Sequence, residues 1–320
     1  MYRIWFERAL LPRLAYLLDG VAEPIGPASA TPDDPLSAVS QAEGIVASQF
    51  VYDGAFMDQA PKLKIISRTG IGYEKVDVAA ATERGIAVCN TPDGPTISTA
   101  EHTVMLMLAA AKNMKQGERK LRGGGQTDYY VTHEGIELYH ATLGLVGFGR
   151  IARHVAGIAQ AFQMAVLTYD PFIAPQAAAE RGVEAVDSLE MLLQQADVVS
   201  LHVPLTEATR HLMNAERFAQ MKPGAVFINA ARGGLVDEAA LLAALDSHHL
   251  FAAGLDVTDP EPADPANPLL QREDVIVTPH VASATRAGKN RINEMAIRQV
   301  IQALQGQRPL HLVNPEVWPQ

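Results

Sequence analysis

A single cysteine, Cys89, occurs in 320 residues, so no intrachain disulfide can form and a reducing, cytoplasmic setting fits best. Positive charge is also short: 26 Lys and Arg against 36 Asp and Glu leave a formal net charge of −10. A nucleic-acid partner would want a clustered basic face, so none is expected, whereas a small anion could still be held by a few local basic residues. Long apolar runs are missing too. The strongest, "TVMLMLAAA" at 103–111, is about half of what a bilayer requires, so no membrane partner is expected. Glu7, Arg8, Pro12 and Arg13 interrupt the apolar residues of the N-terminus, which excludes an uninterrupted secretory core there. No metal site is expected.

What is present is a globular composition, 48% hydrophobic and 19% charged, in a chain long enough for two medium domains. From residue 142 onward, short apolar runs alternate with amphipathic stretches. Strands are predicted at 142–148, 165–170, 197–204, 225–231, 251–257 and 274–280. Helices are predicted at 150–162, 188–196 (capped by Asp187), 214–221 and 237–247. This alternation signals a parallel sheet covered on both faces. The first hundred residues repeat the theme more weakly, with strands in "YRIWF", at 44–48, 63–67 and 86–90, and a helix at 76–85. The segment after Ser283 reads as one long helix that packs back on the N-terminal unit. The expected fold is therefore α/β, with two doubly wound parallel-sheet domains and a cleft between them. One domain, flavodoxin-like and substrate-binding, comprises 1–98 plus 286–320; the other, 99–285, is a dinucleotide-binding Rossmann domain. The stretch "RGGGQTDYYVTHEG" (122–135) is expected to be a flexible loop.

"GLVGFGRIA" (144–152) decides what the larger domain binds. Gly147, Gly149 and Ala152 fit the dinucleotide fingerprint, with a small residue in the third position. The stretch follows a predicted strand and opens a predicted helix, so backbone N–H groups at the helix start would face a pyrophosphate. Asp170 lies 21 residues past Gly149, at the end of the next strand, where an acid takes the ribose hydroxyls. Its charge would repel the 2′-phosphate of NADP, and Pro171 and Phe172 offer no cation to hold one, so the expected cofactor is NAD.

Seven stretches together resemble the D-isomer-specific 2-hydroxyacid dehydrogenases, in that family's order and over nearly the whole chain. They are "ISRTGIGYEKVD", "NTPDGPTISTAEHT", "TLGLVGFGRIA", "LHVPLTEATRHLMN", "INAARGGLVDEAAL", "AGLDVTDPEP" and "TPHVASAT". The resemblance implies a homodimer built on the larger domain and a catalytic set of Arg232, Glu261 and His280. The chemistry suits those residue types. An arginine fork matches the carboxylate of a 2-keto acid. A carbonyl receiving a hydride needs a proton donor, and histidine titrates near neutrality. A carboxylate beside a histidine favours its charged form. The resemblance further implies that Gly70, Ile71 and Gly72 offer backbone amides to the substrate carboxylate, although the stretch alone fits a plain turn equally well. Arg150 and Ile151 continue the pyrophosphate turn. His202, Pro204 and Thr209 resemble the segment beside the adenosine and phosphates, and Ala230 and Asp256 the neighbours of the nicotinamide, although Asp256 could equally cap a strand end. His102 is read as structural or interfacial.

The expected substrate is a short 2-hydroxy/2-keto acid such as hydroxypyruvate or glyoxylate. Arg68 matches a basic position of the phosphoglycerate enzymes, which remain the alternative. However, Ala47 stands where those enzymes often place a second arginine, and no regulatory extension is expected after Gln320. Glu261 replaces the glutamine of formate dehydrogenases, and Ile71 the lysine of phosphite dehydrogenases. The corepressors called C-terminal-binding proteins share the fold and the three residues, so a non-catalytic NAD(H)-sensing role is the other class of reading.

Overall fold

The computed structural model describes residues 1–26, 36–124 and 128–319. It divides into two compact units, residues 1–95 with 285–320, and residues 96–284.

The first unit is a five-stranded, all-parallel sheet of β1 (Tyr2–Phe6), β2 (Ala22–Ile25), β3 (Gly44–Ala47), β4 (Ile65–Arg68) and β5 (Ala87–Cys89), in the order β2-β1-β3-β4-β5. That order is the flavodoxin-like doubly wound pattern. One face buries Trp5, Ile45, Tyr52, Phe56 and Ile66. The other buries Ile4, Val46 and Ile65 against Ala296, Ile297 and Val300 of the helix Arg286–Leu304. This helix, capped by Thr285 through Gly288 N at 2.8 Å, completes the N-terminal unit as its sequence pattern predicts. β2 was not expected: Pro24 interrupts its pattern, and it lies at the sheet edge, where proline is tolerated.

The second unit holds seven parallel strands: β6 (Thr142–Val146), β7 (Ala165–Tyr169), β8 (Glu184–Ala185), β9 (Val198–Leu201), β10 (Ala225–Asn229), β11 (Leu250–Leu255) and β12 (Val275–Val277). Their order is β12-β11-β10-β9-β6-β7-β8, the Rossmann arrangement, with its switch point between β6 and β9. One apolar layer is built around Leu192, Leu201, Phe218, Phe227 and Leu241, the other around Leu106, Leu145, Phe148, Val155 and Ile228.

Two expectations are corrected within this unit. The helix Leu189–Gln195 is capped by Ser188, which accepts from Met191 N at 3.2 Å, and not by Asp187. The "TVMLMLAAA" run belongs to a 16-residue helix, Thr96–Ala111, buried along most of its length. The expected loop 122–135 begins inside the helix Met114–Gly123 and contains the short helix Tyr129–Thr132, capped by Asp128. Residues 125–127 lie outside the described residues.

Candidate active site

The glycine stretch forms the turn from β6 into the helix Arg150–Ala161. Gly147 adopts φ +92°, and a Cβ there would sit 2.9 Å from the His202 carbonyl and from Val203. Only glycine meets both demands without strain. Gly149, the helix N-cap, is different: a Cβ there would meet nothing within 4 Å. Its missing side chain leaves open space at a helix start, the fit required for a pyrophosphate against backbone N–H groups. Arg150 is exposed and Ile151 half-buried on the first turn. Asp170 directly follows β7 and accepts from Phe148 N at 2.8 Å and Phe172 N at 2.9 Å. The fingerprint acid is thus tied by a backbone hydrogen bond to the glycine turn itself.

His202, Pro204 and Thr209 follow β9. Thr209 Oγ1 donates to the Pro204 carbonyl at 2.7 Å and accepts from Thr206 N at 2.8 Å, which closes this loop on itself. The His202 ring turns to Ser200 Oγ at 2.9 Å, and burial pushes its pKa down to about 4, so it is neutral near pH 7.

Arg232 stands three residues beyond β10, and the turn carrying it is shaped by the buried Asn229. The Asn229 amide donates to Arg232 O at 2.8 Å and accepts from Ala231 N at 3.0 Å. Arg232 Nη1 donates to Ala231 O at 2.7 Å, and Ala230 is half-buried before it. At Gly233 a Cβ would overlap the Thr258 carbonyl, so the Arg232 turn packs backbone to backbone on the segment leading to Glu261.

Glu261 and His280 meet directly, His280 Nδ1 lying 2.9 Å from Glu261 Oε2. Both side chains are substantially exposed. His280 has φ +52°, a left-handed backbone uncommon for a residue with a side chain, which His140, His211 and His248 also adopt. What holds it there is Asp256. The Asp256 carbonyl accepts from His280 N at 2.7 Å, and its fully buried carboxylate accepts from Thr278 Oγ1 (2.6 Å), Val281 N (2.9 Å) and Ala282 N (2.8 Å). His102 Nε2 adds a contact at 3.3 Å to Asp256 and one at 2.9 Å to Thr278. Burial, the largest single influence, raises the Asp256 pKa; the hydrogen bonds from His102, Thr278, Val281 and Ala282 together outweigh it and hold the group below its ordinary value. Beside the nicotinamide contact implied by the resemblance, then, Asp256 braces the His280 turn. His102 is part of that brace, joining the helix Thr96–Ala111 to it. Asn229 and Thr278 were missed by sequence reasoning. Their signal was faint, a polar residue closing each of two buried strands.

In the other unit, Arg68 ends β4 and its guanidinium packs over Gly70, which has φ +137°. The Gly70 amide is already used, donating to Thr91 Oγ1 at 2.7 Å. Of the three amides expected to receive a carboxylate, those of Ile71 and Gly72 have no acceptor among the described residues. Ile71 is partly exposed and Gly72 half-buried.

Residues 104–282 match the family model described as D-isomer specific 2-hydroxyacid dehydrogenase, NAD binding domain. The chain belongs to the D-isomer-specific 2-hydroxyacid dehydrogenase family. It is 41% identical to a D-3-phosphoglycerate dehydrogenase of Archaeoglobus fulgidus over 276 residues, covering 86% of this chain and 52% of that one. It is also 41% identical to a glyoxylate reductase of Korarchaeum cryptofilum over 267 residues, covering 83% of this chain and 80% of that one. The crystal structure of the TT0316 protein from Thermus thermophilus superposes with a TM-score of 0.88 at 39% identity, covering 97% of this chain and 99% of that one. The chain spans about half the length of the phosphoglycerate dehydrogenase relatives it matches. Within the family the second unit is the NAD-binding domain.

Proposed function

We propose that this chain is an NAD-dependent D-2-hydroxyacid dehydrogenase that interconverts a short D-2-hydroxy acid and its 2-keto acid. The observation that carries the reading is the His280–Glu261 pair, with the His280 turn braced by the buried Asp256. NAD, when bound, accepts or supplies the hydride. In this reading Gly147, Gly149, Arg150, Ile151 and Asp170 hold its pyrophosphate and adenosine ribose, His202, Pro204 and Thr209 line the adenosine and phosphates, and Ala230 and Asp256 lie by the nicotinamide. Arg232 holds the substrate carboxylate and orients the carbonyl. His280 Nε2 gives a proton to the carbonyl oxygen in reduction and takes the hydroxyl proton in oxidation. Glu261, on Nδ1, orients the ring and leaves Nε2 as the nitrogen that exchanges the proton.

Hydroxypyruvate and glyoxylate are the favoured substrates. Ala47 is fully buried and brings no second charge beside Arg68, which supports a substrate without phosphate. The kinship with phosphoglycerate dehydrogenases keeps D-3-phosphoglycerate as the second reading, with Arg68 as its phosphate contact. No helix among the described residues is long and apolar enough to cross a membrane. A cytoplasmic setting is supported by the single buried thiol of Cys89, which burial raises to about 12. A homodimer through the larger unit is supported by the exposed apolar side chains of Met105, Met114, Leu121 and Val131.

The test is NADH- and NADPH-dependent reduction of glyoxylate, hydroxypyruvate, phosphohydroxypyruvate and pyruvate, compared by kcat/KM. We expect one of the first two to lead by at least about tenfold, with NADH preferred over NADPH by a similar margin, each factor equal to ~1.4 kcal/mol. A lead for phosphohydroxypyruvate would transfer the assignment to the phosphoglycerate reading. NADH binding without turnover of any acid would favour the sensing role.

A further inference from the structure

Glu7, directly after β1, is a buried carboxylate, only 6% exposed. Its partners are the backbone amides of Ser48, Gln49 and Phe50 and the Tyr52 hydroxyl at 2.7 Å. Three successive N–H groups form an anion-binding nest, and here the chain fills it with its own carboxylate. An ion buried in this way is costly unless fully hydrogen-bonded, and its partners are strongly held as a result. Burial, and next the charge of Glu7, raise the Tyr52 phenol far above its ordinary value, so the hydroxyl remains a donor at every pH the fold tolerates.

This arrangement fixes the Ala47–Ser48 peptide through Ser48 N and the path on to Tyr52, and the stretch Ala47–Tyr52 anchors the glycine loop at both ends. On entry, Thr69 N and Thr69 Oγ1 both donate to Ala47 O, at 2.9 and 2.8 Å. On return, Tyr52 N donates to Lys75 O at 2.7 Å and Asp77 N to Tyr52 O at 2.9 Å, while Lys75 Nζ reaches Gln49 O at 2.9 Å. Residues 70–74 thus leave and rejoin the same stretch that Glu7 fixes. They present the Ile71 and Gly72 amides that no described residue engages.

We propose that Glu7 and Tyr52 are positioning residues that hold the Ile71 and Gly72 amides in place to receive the carboxylate of a 2-keto acid. This rests on the functional reading above. It adds a two-residue latch at the far end of β1, acting on substrate through the loop it braces and not by contact.

The experiment uses Tyr52→Phe and Glu7→Gln in the full chain, with KM and kcat for the best 2-keto acid, the competitive inhibition constant of oxalate, and NADH affinity by fluorescence titration. The latch predicts that KM and the oxalate constant rise together by about tenfold, the scale of losing one charge-assisted hydrogen bond, with NADH affinity unchanged and kcat changed far less. A loss of thermal stability with KM and oxalate binding unaltered would reduce the pair to a structural brace and overturn the proposal. So would a fall in NADH affinity parallel to the rise in KM. Should Glu7→Gln fail to fold, Tyr52→Phe decides, since it removes one hydroxyl and keeps the ring that packs on Phe56. A wild-type chain that turns over no 2-keto acid would sink the functional reading itself; an active wild type whose variants keep their KM would sink only the latch.

Discussion

Asp170, Asp256 and Glu7 are three carboxylates whose partners are mainly backbone amides and hydroxyls, and each fixes a turn. The sequence flags such residues unevenly. Asp170 stands at a spacing with a mechanism behind it, and Asp256 lies in a stretch that resembles a known family. Glu7 has neither, because its partners are 41 to 45 positions away and include backbone groups that no residue type reveals. Gly70 shows the same limit: a glycine loop was legible, but not that one of its amides is taken by Thr91. His202 offers a test at this scale. Burial holds it at about 4, while an unfolded chain restores about 6.5. Between those values the unfolded state binds more protons, so stability rises with pH through the window and is complete above it. Wild type should therefore lose on the order of 2–3 kcal/mol more than His202→Gln as pH falls from 7 to 4, measured by urea unfolding. Parallel curves for the two proteins would show that another group is responsible.

At the scale of elements, strands with continuous apolar runs were legible, and those lacking them were not. β8 has two residues, and β2 carries a proline, so neither shows a period. The helix Thr96–Ala111 carries the apolar Ile97 and Met105 on its exposed side, which blurs the polar stripe that a helical pattern needs. The turn between β6 and its helix was readable because two separate demands on glycine coincide there, and they can be told apart by substitution. Gly147→Ala forces a side chain into a positive φ and against the His202 carbonyl; it should cost about 1–3 kcal/mol of stability and weaken NADH binding. Gly149→Ala meets nothing within 4 Å and should leave the melting temperature unchanged while still weakening NADH binding, because the new methyl enters the space for the pyrophosphate. If both variants bind NADH as wild type does, the turn is a packing corner and not a cofactor site.

At the scale of the whole molecule, the chain is two parallel-sheet units, one returning through the C-terminal helix to finish the sheet with which the chain begins. Membership of the D-isomer-specific 2-hydroxyacid dehydrogenases is legible in motifs spread from residue 66 to residue 285, and not in composition, which says only that the chain is globular and acidic. The substrate's side chain is less legible, because the motifs speak to the carboxylate, the carbonyl and the cofactor and not to the rest of the acid. Acid–base catalysis by His280, oriented by Glu261, is tested by kcat for NADH-dependent 2-keto acid reduction by His280→Ala, with NADH affinity measured alongside. The expected result is a fall of about 10²–10⁴-fold in kcat with NADH affinity retained. A variant that reduces the acid at close to the wild-type rate would contradict it.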